Sequence, residues 1–156
     1  MKPSIVLTII GPGYDKELLA QVDYSAILAR ALKRYLIIAY ISDDQLAHYG
    51  HFDPLATDKD KDAFIYHVKS NNLAFTSKVF EDIKEKLHKR HPLDYDFFDM
   101  PLSKEKYALK ALSDQYDIDL TIISKKRLKT MFFSKKMIVP SWICNLSSRL
   151  LLFESW

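Results

Sequence analysis

Glycine, cysteine and long apolar runs are all scarce in this 156-residue chain, and each scarcity removes a class of function. The three glycines, Gly11, Gly13 and Gly50, all fall in the first third. A phosphate-cradling loop needs glycine, because a Cβ keeps the backbone amides away from the anion. Glycine-built sites are therefore not expected in the rest of the chain. The single cysteine, Cys144, cannot form an internal disulfide and points to a reduced, cytoplasmic protein. The longest apolar or aromatic run is Tyr35–Ile41, far short of the roughly 20 residues that span a bilayer, so no transmembrane segment is expected. The N-terminus carries a β-branched run rather than the apolar helix and small-residue cleavage site of a signal peptide.

What the chain does have is enough apolar residues, 48%, for one well-buried core and too little length for two, so one domain over residues 1–156 is expected. Its net charge of +3 is unevenly spread. Lys125, Lys126, Arg127, Lys129, Lys135 and Lys136 crowd into one stretch without an acidic residue, and the remainder holds 17 basic against 20 acidic residues. A nucleic-acid protein usually spreads such an excess over a whole face or helix.

The apolar patterning alternates between strand and helix. Ser4–Ile10 and Tyr35–Ile41 are continuous apolar runs of the kind buried on both faces of a parallel sheet. Between them Leu18, Val22, Ala26, Ala29 and Leu32 fall on one helical face over residues 15–34. That is a βαβ unit, with parallel strands expected. Residues 42–60 are polar and read as an exposed excursion. Residues 62–90 predict a long helix with Phe64, Val68, Phe75, Val79, Ile83 and Leu87 on its apolar face, which the polar Lys69–Asn72 patch could bend. Tyr95–Phe98 is a third strand. Ser103 is placed to cap a helix ending near Tyr116, with Leu109 and Leu112 inward. Leu120–Ser124 is a fourth strand, and Pro140 suits the first turn of a short helix holding Trp142, Ile143 and Leu146. Arg149–Phe153 is a fifth. The expected fold is α/β: a single doubly wound five-stranded parallel sheet with helices on both faces, Rossmann-like.

This order and these lengths resemble the universal stress protein family over nearly the whole chain. The similarity is carried by SAILARALKRYLIIAYI (Ser25–Ile41), YALKALSDQYDIDLTIIS (Tyr107–Ser124) and the length of the stretch Asp119–Phe153. The resemblance implies a loop G-x2-G-x9-G-[ST] for ATP after the fourth strand, and an aspartate at the end of the first. Here the first two glycine places hold Ser124 and Arg127, the closing pair falls on Met137 and Ile138, or one residue earlier if the final strand is the anchor, and Ile10–Gly11 offer no carboxylate. Asp15 lies too far along to be assumed a substitute. The resemblance therefore implies a member that does not hold ATP in the family manner, with no cofactor expected, and a homodimer through the C-terminal strand, Arg149, Leu150, Leu151, Leu152 and Phe153.

The expected working surface is an anion site at Ser124, Lys125, Lys126, Arg127, Lys129, Lys135 and Lys136, at the carboxyl edge of the sheet beside the topological switch point. Lysine and arginine can hold phosphate through their side chains alone. Interleaved Met131, Phe132 and Phe133 add apolar area that suits a base, an acyl chain, a membrane surface or a protein groove; a solvated basic loop whose aromatics pack back onto the sheet edge is the alternative. His48, His51 and Asp53 could be metal ligands but lack a completing cluster and read as polar loop. His88 and His91 suit a helix C-terminus. Cys144 reads as a structural thiol, and Trp142 and Trp156 as buried area. Asp94, Asp96, Asp99, Asp117 and Asp119 are scattered rather than paired for acid–base work. The first expectation is a non-enzymatic regulatory binding module of the stress-protein type. A slow nucleotide-hydrolysing relative using the basic loop and a peripheral binder of anionic lipid or nucleic acid are the alternatives.

Overall fold

A computed structural model of the chain describes residues 2–11, 15–42, 57–90, 94–101, 104–126 and 149–154. Five strands form one sheet: β1 (Ser4–Ile10), β2 (Tyr35–Ser42), β3 (Tyr95–Pro101), β4 (Asp117–Ser124) and β5 (Leu150–Phe153). Their order is β3-β2-β1-β4-β5, and every neighbouring pair is parallel. Three helices connect them among the described residues: α1 (Lys16–Leu32), α2 (Asp58–Arg90) and α3 (Glu105–Gln115).

β1 lies at the centre of the sheet, and six of its seven residues are buried. That is why its sequence is continuously apolar rather than alternating. One face of the sheet, with Val6, Ile10, Leu36, Ile38, Tyr40, Leu120 and Ile122, packs against α1 and α2. The other, with Ile5, Leu7, Ile9, Ile37, Ala39, Ile41 and Ile123, takes Leu109 and Leu112 of α3. Helices thus cover both faces, as expected. On α1 the expected residues Leu18, Val22, Ala26 and Ala29 are buried, while Leu32 is partly buried at the helix end.

α1 ends in a left-handed residue that is not glycine. Lys33 has φ 53° and ψ 48°. Its N–H donates to the Arg30 carbonyl at 3.2 Å, and the Arg34 N–H donates to the Ala29 carbonyl at 2.9 Å. This is a Schellman closure, which returns two orphan carbonyls to a bonded state.

β4 carries one extra residue: Ile118 pairs with Ile5 but Leu120 pairs with Val6, which leaves Asp119 as a bulge. The bulge turns Asp119 toward two cations at the amino edge of the sheet. Its Oδ2 accepts from Arg149 at 2.8 Å and lies 3.6 Å from Arg34 Nε. The carboxylate ties the entrances of β2, β4 and β5 together, which accounts for the acidic start of this strand.

Four expectations need correction. The polar excursion ends before residue 58, because α2 begins at Asp58, inside it. α2 also runs unbroken through Lys69–Asn72. Its apolar stripe is inward only in the second half: Val79, Ile83 and Leu87 are buried, while Phe64 and Phe75 are exposed. No described side chain from Asp58 to Phe75 is buried, and burial begins at Thr76. The helix is about 50 Å long at 1.5 Å per residue, so its first half runs past the core it packs on. Lastly, the residue at the cap position of α3 is Lys104, whose side chain makes no capping bond; Ser103 lies outside the described residues.

The two sheet edges differ. The Leu36 N–H donates to the Asp94 carbonyl, so even-numbered β3 residues bond to β2. Tyr95, Phe97, Asp99 and Pro101 therefore turn their backbone groups outward. Of these, the Phe97 N–H is taken by Asp96 Oδ1 at 2.8 Å, and Pro101 has no N–H to offer. On β5, the Arg149 carbonyl bonds to the Thr121 N–H, which turns the backbone of Leu150 and Leu152 outward.

Candidate functional site

In an open parallel sheet, ligands collect at the carboxyl ends of the strands where the chain order reverses. Here that point lies between β1 and β4. β1 leaves the sheet through Gly11, at φ 86°, where an added Cβ would stand 2.8 Å from the Ile41 carbonyl oxygen and from Tyr40 Cε2. This glycine is needed for passage beside β2. It is a packing requirement of the chain.

Asp15 is the N-cap of α1, and its Oδ1 accepts from the Leu18 N–H at 2.9 Å. Its other oxygen, Oδ2, accepts from Lys126 Nζ at 3.1 Å. One carboxylate thus spans the switch point, joining the start of α1 to the residues after β4. The Leu18 amide, more than the lysine, holds its pKa below the ordinary carboxylate value against the opposing effect of burial. A helix N-terminus is a place where an anion is favoured, and in α1 the protein's own aspartate occupies it.

Beneath the crevice lies a buried amide. Gln21, on α1, donates through Nε2 to Thr8 Oγ1 at 2.9 Å and to the Ile9 carbonyl at 2.9 Å, with the Ile122 carbonyl at 3.4 Å. One side chain therefore reaches both β1 and β4. Ser25 Oγ donates to the Gln21 carbonyl at 2.7 Å and completes a polar column inside an apolar layer.

Of the expected anion-site residues, Ser124 is buried at the end of β4, with Lys125 and Lys126 directly after it. Lys125 Nζ lies 3.1 Å from Glu154 Oε2, just past β5, as Lys126 does from Asp15. All four side chains are substantially exposed. Exposed pairs of this kind contribute about 0–1 kcal/mol each, so an incoming anion could exchange either lysine at little cost. Arg127, Lys129, Lys135 and Lys136 lie outside the described residues, as do Met131, Phe132, Phe133, Trp142, Cys144 and Trp156. So do His48, His51, Asp53 and His91; His88 is exposed in the last turn of α2. Among the described residues, no three His, Cys, Asp or Glu side chains converge as metal ligands. Asp96 and Asp119 serve the backbone edge and the ion pairs above, and Asp117 accepts from Ser4 Oγ at 3.3 Å. The β5 residues Leu150, Leu151, Leu152 and Phe153 are each half-buried on the outermost strand among the described residues, and Arg149 leads into them.

Three residues of the crevice are not singled out by the sequence pattern. Asp15 was set aside as too distant, yet its position three residues before Leu18 is an N-cap signal. Gln21 and Ser25 sit three and seven residues after Leu18, on the helix's apolar face, which is the trace a buried polar column leaves.

Away from this edge, hollows open among the described residues. One, of about 260 Å³, is lined by Leu19, Val22, Ile83 and Leu87 between α1 and α2. The other, of about 470 Å³, lies between α2 and β3 over Phe80, Tyr95 and Phe97. Among the described residues, no helix is long and apolar enough to cross a membrane.

No protein-family model and no curated protein matches the sequence. Solved structures do. The chain is similar to universal stress protein UspA from Lactobacillus plantarum, with a TM-score of 0.64 at 9% identity and 99% of each chain covered. It is similar to a universal stress protein family member from Burkholderia pseudomallei, with a TM-score of 0.60 at 11% identity over 97% of this chain and 96% of that one. A third is a universal stress protein in complex with cAMP, with a TM-score of 0.56 at 17% identity over 96% of this chain and 97% of that one. The fold expected from the sequence, the universal-stress-protein fold, is the fold of this chain.

Proposed function

We propose that the chain, as one domain, is a divergent binding module of the universal stress protein type that does not hold ATP through a glycine loop. Its working surface is the lysine-rich segment after β4, offered to an anionic group of a protein or small partner, and it acts as a pair joined through β5. The observation that carries this reading is the Asp15 bridge. A carboxylate caps α1 and takes Lys126 at the switch point, so the helix end that would otherwise favour a phosphate is filled by the protein's own aspartate. The sequence also has Ser124 and Arg127 where the family pattern has glycine, and a Cβ at such positions keeps backbone amides away from an anion. The half-buried apolar residues of β5 and the outward backbone of Leu150 and Leu152 support pairing at that edge.

Thermal unfolding with added Mg-ATP tests the reading. No change in midpoint is expected across millimolar nucleotide. A midpoint that climbs with the logarithm of nucleotide concentration would sink the proposal.

A second reading is nucleotide binding by lysine side chains. It is favoured by the structural neighbour solved in complex with cAMP and by the weakness of the two exposed lysine pairs. In that case nucleotide binding is measurable in the parent chain and is lost in Lys125→Ala/Arg127→Ala.

A further inference from the structure

The first half of α2 carries a stripe that nothing in the crevice explains. Asp60, Phe64, His67, Asn71, Phe75 and Lys78 recur at intervals of three and four and so share one side of the helix. All six are exposed, with Phe64 at 42% and Phe75 at 46%. They lie to one side of the line Thr76, Val79, Ile83 and Leu87 that faces the core.

Read in either direction, the stripe has matching chemistry. Reversed about its centre, Asp60 changes places with Lys78, Phe64 with Phe75, and His67 with Asn71. The two central residues already interact, the Asn71 amide donating to His67 Nε2 at 3.1 Å. Asp60 and Lys78 cannot meet within one copy, because they stand about five turns, or about 27 Å, apart on the same helix. Neither side chain has an ion-pair partner among the described residues.

From this reversal symmetry we infer that the exposed half of α2 is a self-association surface, on which a second copy of the chain packs antiparallel about a two-fold axis between His67 and Asn71. Such an interface is isologous, so every contact occurs twice. Asp60 meets the partner's Lys78 at each end, and Phe64 meets the partner's Phe75 inside them. The polar centre fixes the register, since sliding one helix by a turn sets the phenylalanines against amide and imidazole. A contact limited to one helix face falls below the roughly 1,200 Å² of standard interfaces, so the pairing is reversible and follows concentration. This surface is separate from the β5 edge, and the inference stands whether or not that edge pairs.

Sedimentation velocity of the full chain across the micromolar range tests it. The parent chain is expected to self-associate with rising concentration. Phe64→Ser/Phe75→Ser is expected to weaken this step by about tenfold or more, the equivalent of about 1.4 kcal/mol. Asp60→Lys and Lys78→Asp should each weaken it, while Asp60→Lys/Lys78→Asp should regain most of the loss, because the exchanged charges again face each other. All four positions are exposed, so circular dichroism and urea midpoints should stay close to those of the parent. If β5 pairing already makes a tight dimer, the same changes act on the dimer-to-tetramer step. The inference is overturned by a parent chain that shows no concentration-dependent step. It is equally overturned by a step indifferent to these substitutions, or by a double charge exchange as weak as either single change.

Discussion

Alanine at Gly11 should destabilise the chain by about 2–5 kcal/mol, from two separable causes. The first is conformational: φ is 86°, and an L-residue in left-handed backbone costs about 1–2 kcal/mol. The second is steric. The new Cβ would lie 2.8 Å from the Ile41 carbonyl oxygen and 2.8 Å from Tyr40 Cε2. Neither neighbour can yield easily. Ile41 belongs to β2, paired on both sides, and Tyr40 is 2% exposed with its ring edge-on to Phe80 at 6.0 Å. Overpacking of this kind typically adds about 1–3 kcal/mol. At this chain length about 1 kcal/mol moves the thermal midpoint by about 2–4 °C, so a fall of roughly 4–20 °C is expected. Urea unfolding followed by far-ultraviolet circular dichroism gives the free energy, with the slope checked against the parent. Gly11→Asn separates the causes, because asparagine tolerates positive φ but still carries the Cβ. A loss under about 0.5 kcal/mol for Gly11→Ala would refute the account, showing that the β1 exit can shift away from β2.

Two further predictions concern the crevice. Gln21→Leu removes the donor shared by Thr8 Oγ1 and the Ile9 carbonyl and should cost about 1–3 kcal/mol in the same urea assay; a neutral result means those oxygens are satisfied without it. Asp15→Asn keeps a capping oxygen but drops the charge that meets Lys126, and half-exposure limits the loss to less than about 1 kcal/mol. Because the folded-state pKa of Asp15 is depressed, its charge stabilises above the ordinary carboxylate value and ceases to as pH falls through the lower, folded value. The difference between parent and variant should therefore hold through neutral pH and close in the acid range below about pH 4. A gap that persists there would show that the charge is not its source.

The architecture was readable because two strands announce themselves without alternation. Ser4–Ile10 and Tyr35–Ser42 are apolar at nearly every position, which only burial on both sheet faces tolerates. Edge strands are less legible: β3 exposes Asp96 and Asp99, so its observed span runs three residues beyond the apolar run. α2 misled for a different reason. Phe64 and Phe75 lie close to the helical face of Val79, but helix period reports direction around an axis and is silent about where along it the core ends. In the crevice, the lysines were legible from composition and their partners were not. Asp15 and Glu154 reach them across long separations in the chain, and local pattern carries no record of such meetings.

The unequal edges of the sheet set a limit on how far it can grow. Strand pairing at β5 by a second copy would produce a doubled sheet whose outermost strands are both β3. There, one outward N–H is turned back on its own aspartate and another is missing because the residue is proline. A third copy would find too few donors in the right places. Strand addition at β3 is thereby disfavoured, the same blunting by which edge strands resist fibre formation.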